Sequence, residues 1–125
     1  MNHRDPKLTS LLFNECINER DIEGLVELMT DDHALICDGH VNTNDKDSSR
    51  AAWSTFFDMF PDYRNHFSRI ESSDNLVVIV GRSTCSSEEK LNGDALWSAR
   101  IQNDKVSEWQ VYADTPENRE RLRIR

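Results

Sequence analysis

The chain has 125 residues, 30% of them charged and 37% apolar, and a net charge of -8, which is the size of one domain able to bury a core of its own. The acidic balance excludes nucleic acid as a partner, because phosphate binding needs clustered Lys and Arg; the basic tail Arg119, Arg121, Arg123 and Arg125 is interrupted by Glu120 and is expected to be a solvated helix face. No apolar run approaches the roughly 20 residues of a membrane helix, the opening MNHRDPKLTS lacks the apolar segment of a signal peptide, and Cys16, Cys37 and Cys85 show neither a CxxC pair nor a metal spacing. The expectation is a cytoplasmic protein with reduced thiols and no membrane partner.

Residues 1–6, ending in Pro6, are expected to be a flexible arm, and residues 7–125 a single domain. Leu8, Leu11, Leu12 and Cys16 recur at helical spacing and predict a first helix to about Glu19. Asp21 is placed to cap a second helix carrying Ile22, Leu25, Val26 and Met29, with Gly24 allowing close packing on its neighbour. Thr30, Asp31 and Asp32 are expected to stop that helix, and Ala34–Cys37 to form a short buried strand ending at Asp38-Gly39. Residues 40–48 are rich in turn formers and predict a loop. Asp47 or Ser48 is the expected cap of a third helix whose face is Ala52, Trp53, Phe56, Phe57 and Phe60 and whose end is Pro61-Asp62. Four strands follow, over about 63–71, 76–80, 95–101 and 106–113, with a polar connection at 85–93 and a tight turn at 102–105. Pro116 opens a last short helix, for which Asp114 is the preferred cap and Thr115 its competitor. Helices first and strands after predict an α+β fold, with three N-terminal helices over one face of a curved, mostly antiparallel sheet.

Strand parity assigns faces. Trp109, Val111 and Ala113 share one side of the last strand, and Trp97, Ala99 and Ile101 one side of the strand before it. These two tryptophans are expected to join Trp53, Phe56, Phe60 and Tyr63 around one interior, which is either a cavity for a small apolar ligand or a filled core. Arg100, Glu108, Gln110 and Tyr112 fall on the opposite face, which is either solvated or the contact surface of a homodimer.

The strings NERDIEGLVELMTDDHALICDG, WSTFFDMFPDY and IQNDKVSEWQVYAD, in this order of elements, resemble the nuclear transport factor two-like superfamily, and within it the SnoaL-like (polyketide cyclase-like) branch. The resemblance spans about residues 7–118. It implies a cone-shaped half-barrel with a pocket between sheet and helices, commonly a homodimer through the sheet, and a cofactor-independent isomerase or cyclase reaction by proton transfer on a small carbonyl compound. The superfamily's steroid isomerases place their aspartate base where Asp38 stands, but their hydrogen-bond donors fall at Phe13 and Trp97, neither of which is the required group.

Asp38 is the leading candidate for a general base, and its rival role is that of a strand-ending turn. His40 is either its acid/base companion or an exposed loop residue, and His66 is either a pocket group or a paired sheet histidine. No HExxH, calcium-loop, GxSxG or glycine-rich phosphate motif is present, so neither metal, serine nucleophile nor nucleotide cofactor is expected. The alternatives to an enzyme are a non-catalytic ligand-binding module and a dimerisation module of the same fold.

Overall fold

The computed structural model describes Arg4 to Ile124. Helix α1 (Pro6–Glu19) begins where Asp5 accepts the Lys7 N–H at 2.9 Å, with Pro6 pre-set for the first turn. Residues 4–6 of the expected arm are held in the fold, Arg4 donating its backbone N–H to Asp104 Oδ1 at 3.0 Å, and residues 1–3 lie outside the described residues. Arg20 closes α1 in the left-handed region, and Asp21 caps α2 (Ile22–Glu27) by accepting the Gly24 N–H at 3.0 Å. A β-carbon on Gly24 would lie 2.5 Å from Asp21 Oδ2 and 2.8 Å from Cys16 Sγ, so the glycine leaves room for the cap and for the α1 thiol beside it.

Strand β1 (Met29–Cys37) is longer than predicted and absorbs Thr30, Asp31 and Asp32. Met29 and His33 are buried in it while Asp31 and Asp32 point to water, and pairing with the last strand overrides the local turn preference of the aspartates. Asp38 and Gly39, with φ of 48° and 83°, make a two-residue turn. That turn feeds a second strand, β2 (His40–Thr43), in place of the expected loop. Asp45, rather than Asp47 or Ser48, caps α3 (Lys46–Met59), taking the Ser48 N–H at 2.7 Å. Strands β3 (Arg64–Ser73), β4 (Leu76–Thr84), β5 (Gly93–Gln102) and β6 (Lys105–Ala113) follow, then α4 (Pro116–Arg121). Thr115 wins the α4 cap, accepting the Asn118 N–H at 3.2 Å, because Asp114 is held by Arg119 at 2.6 and 2.9 Å.

The six strands form one sheet in the order β2-β1-β6-β5-β4-β3, antiparallel except for β1 with β6. The core lies between its concave face and the helices and contains Phe13, Ile17, Leu25, Trp53, Trp97 and Trp109. On the other face, Arg100 and Glu108 pair across β5 and β6 at 3.5 Å. Tyr112, expected on that outer face among exposed groups, is instead buried: it bonds Ser98 Oγ at 3.0 Å and packs with Leu96 under Ile124 and Leu122. The chain's own C-terminal segment supplies the cover. No helix among the described residues is long and apolar enough to cross a membrane.

His33 is fully buried against Phe13, with Nδ1 2.6 Å from the Val106 carbonyl and Nε2 unpartnered. Since a carbonyl only accepts, Nδ1 carries the proton. Burial holds the ring's pKa below the ordinary histidine value, partly opposed by the bond to Val106 and by Asp32. The unfolded chain then binds a proton that the folded chain refuses, so stability falls as pH drops below about 6.5. Denaturant titrations between pH 7.5 and 5 are expected to show this loss, at most about 1.4 kcal/mol per pH unit, and His33→Gln is expected to flatten it. An equal slope in the variant would place the titration elsewhere.

Candidate active-site cavity

A cavity of about 470 Å³ opens between α3, the β1–β2 hairpin and the concave face of β5 and β6, within the roughly 300–1,000 Å³ of small-molecule sites. Its apolar wall is built from Leu35, Trp53, Phe56, Trp97, Trp109 and Val111. Trp97 and Trp109 arrive by strand parity, as inward residues paired across β5 and β6 with Val111 and Ala99. Phe56 arrives from the α3 face and meets Tyr63 edge-on at 4.8 Å. The Trp53 indole N–H is buried without a partner, an unusual condition for a tryptophan that lines a cavity.

The rim is polar and exposed, with Asp38, Asn42, Lys90, Asn92 and Asp94 around the opening. Asp38 accepts the Ala113 N–H at 3.2 Å through Oδ1, so its carboxylate joins the end of β6 to the hairpin turn. Cys37, just inside, takes a hydrogen bond from Asn42 Nδ2 at 3.2 Å, and burial pushes its thiol pKa up. The loop after β4 forms another part of the rim and is tied down by Asp62. That carboxylate accepts from the Ser87 N–H at 3.0 Å, Ser87 Oγ at 2.7 Å, Cys85 Sγ at 3.2 Å and Ser86 Oγ. These bonds, the serine hydroxyls first, hold its pKa well below the usual carboxylate range.

One side of the wall is polar and continuous. Tyr63 Oη lies 3.0 Å from Ser83 Oγ, which donates to Asn65 Oδ1 at 2.9 Å; Asn65 Nδ2 donates to Asn14 Oδ1 at 3.1 Å. Asn18 holds the Asn65 backbone on both sides, accepting its N–H at 2.8 Å and donating to its carbonyl at 3.0 Å. Helix α1 is thereby fastened to β3 and β4 at the cavity. Burial raises the Tyr63 pKa, opposed by its bond to Ser83.

Of the residues singled out from the sequence, Asp38, Trp53, Phe56, Tyr63, Trp97 and Trp109 line this cavity. Phe60 stands behind, packed on Phe56 at 5.1 Å. His40 is exposed at the start of β2. His66 sits on the outer side of β3, with Nε2 3.0 Å from Thr84 Oγ1, because inward places at this stretch belong to Asn65 and Phe67. Neither histidine hydrogen-bonds Asp38, and of the three only Asp38 lines the cavity. Among the cavity-lining residues there is no histidine, and both carboxylates, Asp38 and Asp94, stand at the solvent side. Among the described residues no three His, Cys, Asp or Glu side chains gather as a metal site would require. Sequence reasoning missed Asn14, Asn65 and Ser83. The available signal was parity: Asn65 is two residues before the inward Phe67.

A six-stranded curved sheet closed on one side by three N-terminal helices, with a cavity at its open end, is the nuclear transport factor two-like cone fold. Within that class the chain belongs to the SnoaL-like family, whose SnoaL-like domain matches residues 12–115. Comparison with curated protein sequences finds no match. Among solved structures, an uncharacterised cystatin-fold protein from Novosphingobium aromaticivorans superposes with a TM-score of 0.77 at 18% identity, covering 87% of this chain and 98% of that one. IdmH from Streptomyces antibioticus, provisionally assigned as a polyketide cyclase, gives 0.71 at 22%, covering 89% and 93%. An epoxide hydrolase from M. tuberculosis gives 0.75 at 11%, covering 87% and 82%. At these identities the likeness is one of fold, and fold alone does not carry an activity.

Proposed function

We propose that this protein holds one small, mostly apolar, ring-shaped carbonyl compound in the cavity between α3 and the sheet. The single observation that carries the reading is the aromatic wall of Trp53, Phe56, Trp97 and Trp109 around about 470 Å³. Flat rings suit flat ligands, and the wall is otherwise a poor core, since it leaves space that Leu or Ile would fill. The class of compound accords with the cyclase assignment of IdmH, a fold neighbour.

Binding without chemistry is the first reading, because among the described residues no carboxylate or histidine is buried at the cavity and acid/base catalysis needs a group placed at the reacting atom. The second reading is proton transfer by Asp38, favoured by its place at the cavity mouth. A thermal-shift series with 1-hydroxy-2-acetonaphthone and related aryl ketones separates them. At a ligand concentration about 100 times Kd, stabilisation of about 2.7 kcal/mol, or roughly 10 °C, is expected in the native protein and in Asp38→Asn alike, with the compound recovered unchanged. Product formed by the native protein and not by Asp38→Asn would establish the second reading. No shift with any member of the series would make the cavity a packing defect and leave a dimerisation module.

A further inference from the structure

Tyr63, Ser83 and Asn65 all line the cavity, and the partners of Asn65 and Ser83 set the direction of the protons along them. Asn65 gives its Nδ2 protons towards Asn14 Oδ1 at 3.1 Å, which turns its Oδ1, an acceptor only, towards Ser83. Ser83 spends its one hydroxyl proton on that oxygen at 2.9 Å. Across the 3.0 Å contact with Tyr63 it has nothing left to give and accepts instead. Tyr63 is therefore the donor of that bond. Its own proton is committed inward, Asn65 also bonds its oxygen, and what that oxygen offers a ligand is a remaining lone pair and no proton. Burial keeps the phenol protonated, in agreement with this direction.

We propose that Tyr63 is the acceptor end of a polarised hydrogen-bond chain (Tyr63 to Ser83 to Asn65 to Asn14), by which the cavity selects ligands that present an O–H or N–H donor, such as a phenol or an enol, over equal shapes that present only an ether or carbonyl oxygen at this wall. The inference rests on the reading of the cavity as a ligand site and adds the chemistry of one contact. A phenol or enol placed here donates to Tyr63 Oη, and the chain behind it strengthens that oxygen as an acceptor, because each donated proton polarises the next group. An ether in the same place sets two acceptor oxygens against each other with no proton between them.

The test is calorimetric titration of the whole protein with 2-naphthol and with 2-methoxynaphthalene, which share a ring system and differ in the donor. The naphthol is expected to bind about three- to tenfold more tightly, the worth of one neutral hydrogen bond. In Tyr63→Phe that ratio is expected to fall to about one, chiefly through weaker naphthol binding. Equal binding of the two probes to the native protein would overturn the donor preference while leaving the cavity as a ligand site. Tighter binding of the methoxy compound would reverse the direction of the chain. Binding of neither would overturn the ligand-site reading and this inference together. The comparison of probes on the native protein decides the matter even where Tyr63→Phe fails to fold.

Discussion

Gly81→Ala is expected to destabilise the protein by about 3 kcal/mol or more, a large share of the roughly 5–15 kcal/mol that holds a domain together. Gly81 is in β4, opposite Phe67, beside the register shift between Phe67 and Arg69 in β3. A β-carbon there would stand 2.2 Å from the His66 carbonyl oxygen and 3.0 Å from Phe67 Cα. The demand for glycine is spatial rather than conformational, since its φ lies outside the left-handed range. Both obstacles are backbone, so no rotamer change relieves them, and β3 must move away from β4. That motion would carry Phe67 off Trp97, its ring neighbour at 5.0 Å, and Asn65 off Ser83. In urea the midpoint is expected to fall by about 2 M for a slope near 1.5 kcal/mol/M. A loss below about 1 kcal/mol would mean that the bulge gives way at little cost, and that β3 is not the rigid wall on which the cavity depends.

Much of this architecture is legible in the residues. Helical periodicity in α3 and the apolar parity of β5 and β6 are local patterns, and they bring Trp53, Phe56, Trp97 and Trp109 to the cavity wall. In α1 the expected stripe is corrected: the helix forms, but Leu8 and Leu11 are exposed and the buried face carries Phe13, Asn14 and Ile17, because the sheet lies on that side. The Asp38-Gly39 and Asn103-Asp104 turns are local too, since the left-handed conformations they need select those residue types. Strand β1 extends back to Met29 because β6 is there to pair with it, and β2 forms because the hairpin turn aims it at β1. The first partner is remote in the chain, whereas the second is adjacent and signalled by Asp38-Gly39, and the turn formers of residues 40–48 mask the strand it starts. The cap of α4 went to Thr115 for the same reason in miniature, since Arg119 competes for Asp114. The site follows this division. The aromatic half follows from parity, whereas the polar half joins Asn14 of α1 to Tyr63, Asn65 and Ser83 around the β3–β4 hairpin, about 50 residues or more away in the chain. His66 drew attention as a titratable residue, while the inward position beside it belongs to an asparagine.

That asparagine carries the second large effect. Asn65→Ala is expected to cost about 2–4 kcal/mol, more than its size suggests, because Asn65 is 3% exposed and its amide satisfies Ser83 on one side and Asn14 on the other. Removing it strands a buried donor and a buried acceptor, each worth about 1–3 kcal/mol when left unpaired. The Asn18 bonds to the backbone survive, so α1 stays docked but loses its link to β4. Ser83→Ala alone is expected to cost less, about 1–2 kcal/mol, since it strands the Asn65 oxygen and the Tyr63 proton beside a cavity that water can enter. The double variant decides whether these groups act as a unit. If they do, its cost falls short of the sum of the single costs by about 1 kcal/mol, since each single change has already broken the shared bond. Additive costs would mean that solvent in the cavity satisfies each group independently. The chain would then not hold its proton direction in the empty protein, and any donor preference at Tyr63 would have to be imposed by the ligand on arrival.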